Sequence, residues 1–357
     1  MRPRELGQSE LSRWRDFQAA RLELQHPFLS GGFARAVDAV SDRARVAVFE
    51  DGPTVVGFLP FEERVRGIAT AIGRKLNTRQ GFVHEPGLPW SWPQLLDTVS
   101  LDVLQVSDLV DFQSDDRASL EEFHAPVIET APGWDEYLAR VKSSKNIKTT
   151  LYKERKLRRE FDDVLFESGP AKDCAQLRQL VAWKSQQYRR SGWPDPFARR
   201  GVTELLDVLA SNSEVGLDAV GSSLRIDGQL VATDLSLTSE TVFAGWFAAH
   251  DPEWSRVSPG AIRTLRTVEA AFDLGVVALD LSRGDEGYKD SLKTGNAMVA
   301  TGVVSRPSAR AVAFQAAHAP IAAARAYVLD RPELRRTVRE SLRQVGRLRE
   351  SLTRRPH

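Results

Sequence analysis

Residues 217–250, LDAVGSSLRIDGQLVATDLSLTSETVFAGWFAAH, contain three consecutive runs of strand-forming residues. The runs cover 217–226, 229–237 and 241–249. An Asp-Gly pair, Asp227-Gly228, lies between the first two, and this is the strongest local signal for a hairpin. The stretch therefore predicts a hairpin that leads into a third strand.

The residues on either side of this hairpin alternate between helical and strand patterns. Upstream, the apolar spacing predicts helices and one short strand, in the order 134–141, 144–161, strand 164–167, 172–190 and 202–209. Downstream it predicts a helix, a strand, a short helix and a strand, at 259–274, 276–281, 285–293 and 298–304. This order predicts an α/β protein with a mixed sheet.

The first 125 residues give weaker patterns. They predict a helix over 11–21, strands over 45–49 and 54–59 around Asp51-Gly52, a loop over 81–93 and a helix over 94–104. The polar stretch near 114–119 places a domain boundary at about residue 125.

Composition limits the class of protein. With 357 residues, 42% of them hydrophobic and 27% charged, the chain is long enough for two globular domains. The single Cys174 excludes an internal disulfide, and six scattered histidines argue against a zinc site, so no metal is expected and a cytoplasmic location is predicted. The start shows no signal peptide, and the charge-free stretch 311–324 is too short to span a bilayer.

Several enzyme signatures are missing from the sequence. It contains no P-loop, no Gly-x-Gly-x-x-Gly fingerprint, no nucleophile elbow and no His-x-x-x-His pair. These absences argue against nucleotide hydrolases, dehydrogenases, esterases and metalloenzymes.

Three local features accompany the predicted element order. They are LDLSRGDEGYK at 279–289, a basic helix over 142–159, and Ser258-Pro-Gly260 at the start of a helix. Together they resemble the GNAT acetyltransferase superfamily, in the subgroup associated with cellulose or exopolysaccharide biosynthesis, which is similar to the Fem-type tandem transferases. The resemblance covers 127–305 and extends weakly over 1–125.

This resemblance implies a domain plan and a cofactor. The plan is a degenerate N-terminal GNAT-like domain at 1–125, a GNAT acyltransferase domain at 126–305 and a helical basic tail at 306–357. The cofactor is acetyl-CoA or another acyl-CoA, whose pyrophosphate the family binds at the loop before the helix that follows the third central strand. Here that loop gives Arg256, Val257, Ser258, Gly260 and Ala261.

The loop departs from the superfamily pattern, because its two small residues are adjacent and a proline lies among them. Backbone N–H groups and the positive end of a helix dipole favour an anion at such a position. The alternative is that Ser258-Pro-Gly260 only caps the helix.

The resemblance also implies a catalytic group after the strand 276–281. A tyrosine on the next short helix is the usual acid for the departing thiolate, and Tyr288 occupies that place. The candidate catalytic residues are Tyr288, Asp280 and Glu286, and the candidate substrate residues are Arg283, Asp285, Lys289 and Trp246. Tyr288 as a packing residue, Asp280 as a buried carboxylate paired with an arginine and His250 as a general base stay open as alternatives.

These residues support three hypotheses about function. The first is an acyl-CoA-dependent N-acyltransferase in which a small-molecule or glycan-precursor amine attacks the thioester directly in a ternary complex. The second is a Fem-type transferase that uses aminoacyl-tRNA, which the basic helix favours; nucleic acid is otherwise not expected. The third is a non-catalytic transferase-fold scaffold in polysaccharide biosynthesis.

The C-terminal residues form a basic segment that the resemblance does not explain. Residues 331–357 contain nine arginines against three glutamates, whereas the whole chain has a net charge of +1. Ten alanines between 309 and 330 predict a helix. After it, the apolar residues Leu334, Val338, Leu342, Val345, Leu348 and Leu352 predict an amphipathic helix that packs on the protein itself.

Overall fold

The computed structural model describes residues 1–112, 120–211, 216–284 and 287–329, with side chains as far as residue 320. The α-helices are α1 (Gln8–Ala19), α2 (Gly31–Val40), α3 (Trp92–Thr98), α4 (Trp134–Val141), α5 (Lys145–Glu160), α6 (Cys174–Ser191), α7 (Val202–Ser211), α8 (Pro259–Asp273), α9 (Gly287–Leu292) and α10 (Ala309–Leu329). The strands are β1 (Ala44–Asp51), β2 (Thr54–Val65), β3 (Ile68–Ala71), β4 (Val83–His84), β5 (Val103–Leu109), β6 (Leu120–Glu129), β7 (Val164–Pro170), β8 (Asp218–Ile226), β9 (Gln229–Thr238), β10 (Val242–His250), β11 (Ala278–Asp280) and β12 (Gly295–Ser305). Short 3-10 helices cover Pro3–Glu5, Leu22–Leu24, Pro27–Leu29, Arg74–Leu76, Pro196–Ala198 and Pro252–Val257.

The described strands form one twelve-stranded mixed sheet, which confirms the predicted fold class. Its order is β1-β2-β3-β5-β12-β6-β11-β10-β9-β8-β7, and β4 pairs with β2 beside this path. The neighbours β3 and β5 are parallel, as are β10 and β11. The other neighbouring pairs are antiparallel.

The centre of the sheet joins a first half, residues 1–112, to a second half, residues 120–305. Strand β12 lies between β5 of the first half and β6 of the second and pairs with both. Strand β6 runs through residue 125, so the predicted domain boundary lies inside a strand. The division into domains stays a prediction.

Helices cover the two faces of the sheet differently. On one face the two halves share a single core, to which Trp14 and Phe33 contribute from the first half and Leu180 and Leu205 from the second. On the other face, α3 packs in its own cluster, and α4, α5 and α8 pack in others. The adjacent β8 residues Ala219 and Val220 belong to different clusters, as alternation along a strand requires.

The predicted element order from 134 to 305 is confirmed. The hairpin of β8 and β9 turns at Asp227 and Gly228, which have φ values of +48° and +78°. Positive φ at both central residues is the type I′ geometry that matches the twist of paired strands. Elements with strong periodicity or a defined turn were therefore predictable.

Between residues 94 and 129, one prediction was wrong and one strand was missed. The helix predicted over 94–104 ends at Thr98, because Ser100 has a φ of +56° and the apolar residues after it enter β5. Strand β6 was missed, since Pro126 and polar residues on one side hide it. The loop predicted over 81–93 contains the two-residue strand β4.

The alanine-rich segment forms α10, as predicted, and the amphipathic stripe that follows it lies outside the described residues. Within the part of the chain that the structure describes, no helix combines the length and apolarity needed to cross a bilayer.

Candidate functional site

The parallel strands β10 and β11 pair over a short distance and then separate. The pairs are Val242 with Ala278, Phe243 with Leu279 and Ala244 with Asp280. Strand β11 ends there, whereas β10 continues to His250 after a bulge between Gly245 and Phe247. Open α/β sheets bind ligands in crevices beyond the carboxyl ends of such strands.

Ser282 connects the two strands at the point where they part. Its Oγ donates to the carbonyl oxygen of Gly245 at 2.8 Å, and its N–H donates to Oδ1 of Asp280 at 2.7 Å. The residue has a φ of +59°, which is uncommon for a side chain other than glycine. These two hydrogen bonds hold it in that conformation.

Helix α8 follows β10 and begins with an available backbone donor. Ser258, before the helix, has a φ of +57° and a ψ of +52°, and Pro259 is the first helical residue. The N–H groups of Ala261 and Ile262 donate to the Ser258 carbonyl oxygen at 3.1 and 3.2 Å. The N–H of Gly260 has no acceptor among the described residues.

Gly260 lies close to a histidine at the end of β10. A Cβ added to Gly260 would stand 3.1 Å from Nδ1 of His250, so a larger side chain would crowd this corner. Partial desolvation, followed by the charge of Arg263, lowers the pKa of His250 below its usual range. The lowered pKa favours the neutral imidazole form of His250, which lies beside the start of α8.

Lys153 of α5 brings a positive charge to the start of α8. Its Nζ donates to Oγ of Ser258 at 2.6 Å and to the carbonyl oxygen of Arg256 at 3.3 Å. Nearby, the buried carboxylate of Glu154 accepts hydrogen bonds from Nε and Nη2 of Arg266, both at 2.8 Å. Glu154 therefore points toward α8 and does not interrupt the exposed basic face of α5.

Asp280 lies at the centre of a buried ion cluster that joins the two halves. Its Oδ2 contacts the guanidinium of Arg79 and lies 3.1 Å from Nε2 of His26. Burial alone would raise the pKa of Asp280, but the Arg79 charge and the His26 hydrogen bond outweigh burial and lower the pKa to about 2. A carboxylate with these partners supports the structural role that the sequence left open.

His26 has a polar neighbour at each ring nitrogen. Nδ1 accepts from the N–H of Phe28 at 3.4 Å, so the ring proton lies on Nε2, which faces Asp280. Burial, and secondarily Arg79, lower the pKa of His26. The ring is thus neutral in this cluster.

Arg283 also has its partners within the protein, on the first half and on β6 and β12. Its Nε lies 3.2 Å from Oδ1 of Asp108, and its guanidinium stacks over the ring of Phe123 at 4.1 Å. Nη1 donates to Oγ1 of Thr301 at 3.2 Å. Burial raises the pKa of Asp108, while Arg283 and Arg79 oppose the rise.

The other predicted site residues lie around the same junction. Lys289 is buried and its Nζ donates to the Ser282 carbonyl oxygen at 3.1 Å, whereas Tyr288 on α9 is 42% exposed. The Trp246 indole donates to the Leu76 carbonyl oxygen at 2.9 Å. Asp285 and Glu286 lie outside the described residues.

Comparison with known families identifies the region that contains this site. Residues 144–290 match the family model of the acetyltransferase (GNAT) domain. The fold is GNAT-like. Both α8 and the separating strands lie within the matched residues, so the site lies in the region that is similar to the GNAT domain.

Solved structures show the same fold across most of the chain. FemX aligns with a TM-score of 0.56 at 11% identity, covering 84% of this chain and 95% of FemX. The C-terminal domain of a protein described as a lysylphosphatidylglycerol synthetase from Agrobacterium fabrum aligns with a TM-score of 0.52 at 13% identity, covering 86% and 94%. A conserved protein of unknown function from Bacteroides thetaiotaomicron aligns with a TM-score of 0.55 at 12% identity, covering 85% and 98%. A comparison with curated protein sequences gave no significant match.

Sequence reasoning missed the residues that approach the matched region from elsewhere in the chain. His26, Arg79 and Asp108 belong to the first half, and nothing in their local sequence indicates that they meet Asp280 and Arg283. Lys153 was visible only as one cation of a basic helix. No group of three or more His, Cys, Asp or Glu side chains suited to a metal ion occurs among the described residues.

Proposed function

We propose that the protein is an acyl-CoA-dependent N-acyltransferase, which transfers an acetyl or other acyl group to an amine on a small molecule or an envelope-polysaccharide precursor. The start of α8 carries this proposal. It combines the unpaired Gly260 N–H, the positive end of a 15-residue helix and the Lys153 ammonium. Anions bind at helix starts of this kind.

The residues at this position suit the pyrophosphate of acyl-CoA. Gly260 lets a phosphate approach the backbone closely, and Ala261 is also small. Arg256, Val257 and Ser258 form the loop before the helix, and Lys153 adds a charge that the family resemblance did not include. When bound, acyl-CoA supplies a thioester whose carbonyl carbon accepts the attacking amine.

Tyr288 and the separating strands provide the acid for the leaving group, and the proton that the attacking amine loses passes to solvent. We assign to Tyr288 the role of giving its hydroxyl proton to the departing thiolate, because it lies exposed on α9 directly after the strand junction. Ser282 and Lys289 hold the chain between β11 and α9 through the hydrogen bonds described above. Asp280 stabilises this junction through its contacts with Arg79, His26 and the Ser282 N–H, and we assign it no proton transfer.

A thiol-release assay tests the proposal. The protein is incubated with acetyl-CoA and a panel of amino sugars and amino acids, and free CoA is measured. Acceptor-dependent CoA release is expected. Failure of acetyl-CoA to bind in a calorimetric titration would refute the proposal whatever the acceptor.

A Fem-type transferase that uses aminoacyl-tRNA is the second candidate. The exposed side chains of α5 that favour it are Lys145, Lys148, Arg155, Lys156, Arg158 and Arg159. The fold shared with FemX agrees with this candidate but does not distinguish it from the first. Calorimetry with bulk tRNA separates the two, and binding of neither ligand would favour the scaffold hypothesis.

The cellular setting is part of the proposal. An exposed, unpaired Cys174 suits a reducing compartment, and we therefore propose a cytoplasmic location.

A further inference from the structure

A cavity of about 420 Å³ lies between the two halves, on the face of the sheet opposite α8. We refer to it as the inter-half cavity. Its walls come from α2, the segment after β3, the loop between α6 and α7, the start of α7 and Phe247 of β10. Phe247 packs in the core shared by α6 and α7, whereas Phe243 of the same strand packs with α8. The cavity and the start of α8 therefore lie on opposite faces of the sheet.

The floor of the inter-half cavity is apolar. Val37, Val40, Val202, Leu205 and Phe247 line it. The rings of Tyr188 and Trp193 stand at its side, and Trp193 is 55% exposed. Such a floor accepts the carbon skeleton or ring of a small molecule.

The rim of the inter-half cavity is cationic. Arg74, Lys75, Arg199 and Arg200 line it, against the single carboxylate of Glu62. Glu62 is buried and already engaged, since it accepts from the Ser41 hydroxyl at 2.7 Å and lies 3.5 Å from Nε of Arg74. Within the described ranges, Lys75, Arg199 and Arg200 have no carboxylate within 4.0 Å. Glu204, which does not line the cavity, interacts electrostatically with Arg200. The cavity lining thus carries more positive than negative charge.

The backbone at Arg74, on the rim, has an uncommon conformation. Its φ is +53°, whereas the +70° of the preceding Gly73 is ordinary for glycine. A positive φ at a residue with a side chain costs free energy, and such strain is concentrated at ligand sites. The Nε of Arg74 is also buried without a hydrogen-bond acceptor.

We propose that the inter-half cavity binds the acceptor and that this acceptor carries a phosphate or carboxylate group in addition to its amine. Calling the ligand an acceptor rests on the proposed function; the preference for an anion rests on the cavity alone. The segment from Gly73 to Leu76 places the cavity next to the strand junction, since Trp246 of β10 donates to the Leu76 carbonyl oxygen. An amine in the cavity therefore lies beside the place where β10 and β11 separate.

Three matched probes test the preference for an anion by calorimetry. They are 4-aminophenyl phosphate, 4-aminobenzoate and the neutral 4-aminobenzamide, which share a ring and an amine. We expect at least one anionic probe to bind at least about tenfold more tightly than the amide, as charge-assisted hydrogen bonds predict. The phosphate and carboxylate arms show which anion the rim prefers.

Substitutions at the rim locate the binding. Arg199→Gln combined with Arg200→Gln is expected to remove the preference, and Lys75→Gln to weaken it, whereas Arg64→Gln, an exposed arginine outside the cavity, leaves it unchanged. Equal binding of all three probes to the parent protein would overturn the proposal. So would an anion preference that survives the double substitution.

Acetyl-CoA separates this proposal from the proposed function. The rim variants are expected to keep the parent's affinity for acetyl-CoA, because the start of α8 lies on the other face. Loss of that affinity would assign the cavity to the cofactor's phosphates and overturn the acceptor site. Absence of acetyl-CoA binding in the parent would refute the proposed function, while the anion preference would still stand or fall on the three probes.

Discussion

The two halves of the sheet each contain a parallel strand pair, but they use the space after that pair differently. In the second half, α8 connects β10 to β11, and its start has an available N–H and a lysine beside it. In the first half, the chain between β3 and β5 fills the space with stacked rings. Phe82 packs on His84 at 5.0 Å and on Trp90 at 5.3 Å, and Trp92, the first residue of α3, is 1% exposed.

The same parallel pairing is therefore followed by different packing in the two halves. Aromatic side chains fill the space after the parallel pair of the first half, and this half acts as a support for the second. His26, Arg79 and Asp108 extend from that support into the strand junction of the second half. The expected chemistry therefore lies in the second half, and its order depends on the first.

The largest expected effect comes from breaking the connection between the halves at Asp280. Asp280→Ala removes a buried partner of Arg79 and His26, so the free energy of unfolding in urea at pH 7 should fall by about 3–5 kcal/mol. Asp162→Asn, an exposed aspartate, serves as the control and should change it by less than about 0.5 kcal/mol. A small effect at Asp280 would show that the halves do not depend on this cluster.

The pH dependence of stability gives the same prediction a second readout. The pKa of Asp280 in the folded protein, about 2, lies below the value of about 3.9 in an unfolded chain, so the unfolded state binds more protons between them. The Asp280 contribution should be present above pH 4 and disappear as the pH falls toward 2. Asp280→Asn should lack this loss, whereas the parent protein should show it.

The next effect tests whether the start of α8 holds the cofactor. Gly260→Asp places a negative charge and a side chain at the proposed phosphate position, so acetyl-CoA affinity should fall by roughly 100-fold or more. Gly169→Asp, at a position with no atom within 4 Å of the added Cβ, is the matched control. A folded Gly260→Asp variant that binds acetyl-CoA as tightly as the parent would remove the distinction between the halves.

The smallest expected effect concerns Tyr288. Tyr288→Phe removes one hydroxyl and keeps the ring, so turnover should fall by roughly 10²-fold while acetyl-CoA affinity and folding are retained. Tyr152→Phe, on a more exposed tyrosine of α5, is the control and should keep full turnover. Unchanged turnover in Tyr288→Phe would assign that side chain to packing.

Local sequence patterns predicted the second half better than the first. Asp227-Gly228 and the long apolar runs beside it define the hairpin directly, and Ser258-Pro259 marks the start of α8. Strand β6, at the start of the second half, is the exception: it contains Pro126 and exposed polar residues, and it is a strand because it pairs with β11 and β12, which come much later in the chain. Patterns within a short window contain no information about such pairing.

The candidate site was also only partly predictable from the sequence. The loop 256–261 and Tyr288 follow from the resemblance, because both lie next to recognisable elements. The partners of Asp280 were not predictable, since His26 and Arg79 contact it in the fold but are far from it in the sequence. The inter-half cavity was also hidden, because its rim combines Arg74 and Lys75 with Arg199 and Arg200 from a different half.

A crystal structure of the protein with bound CoA tests the central claim most directly. The account predicts the pyrophosphate at the start of α8, within hydrogen-bond distance of the Gly260 N–H and close to the Lys153 ammonium. Pyrophosphate bound in the inter-half cavity, or anywhere else away from α8, would contradict it.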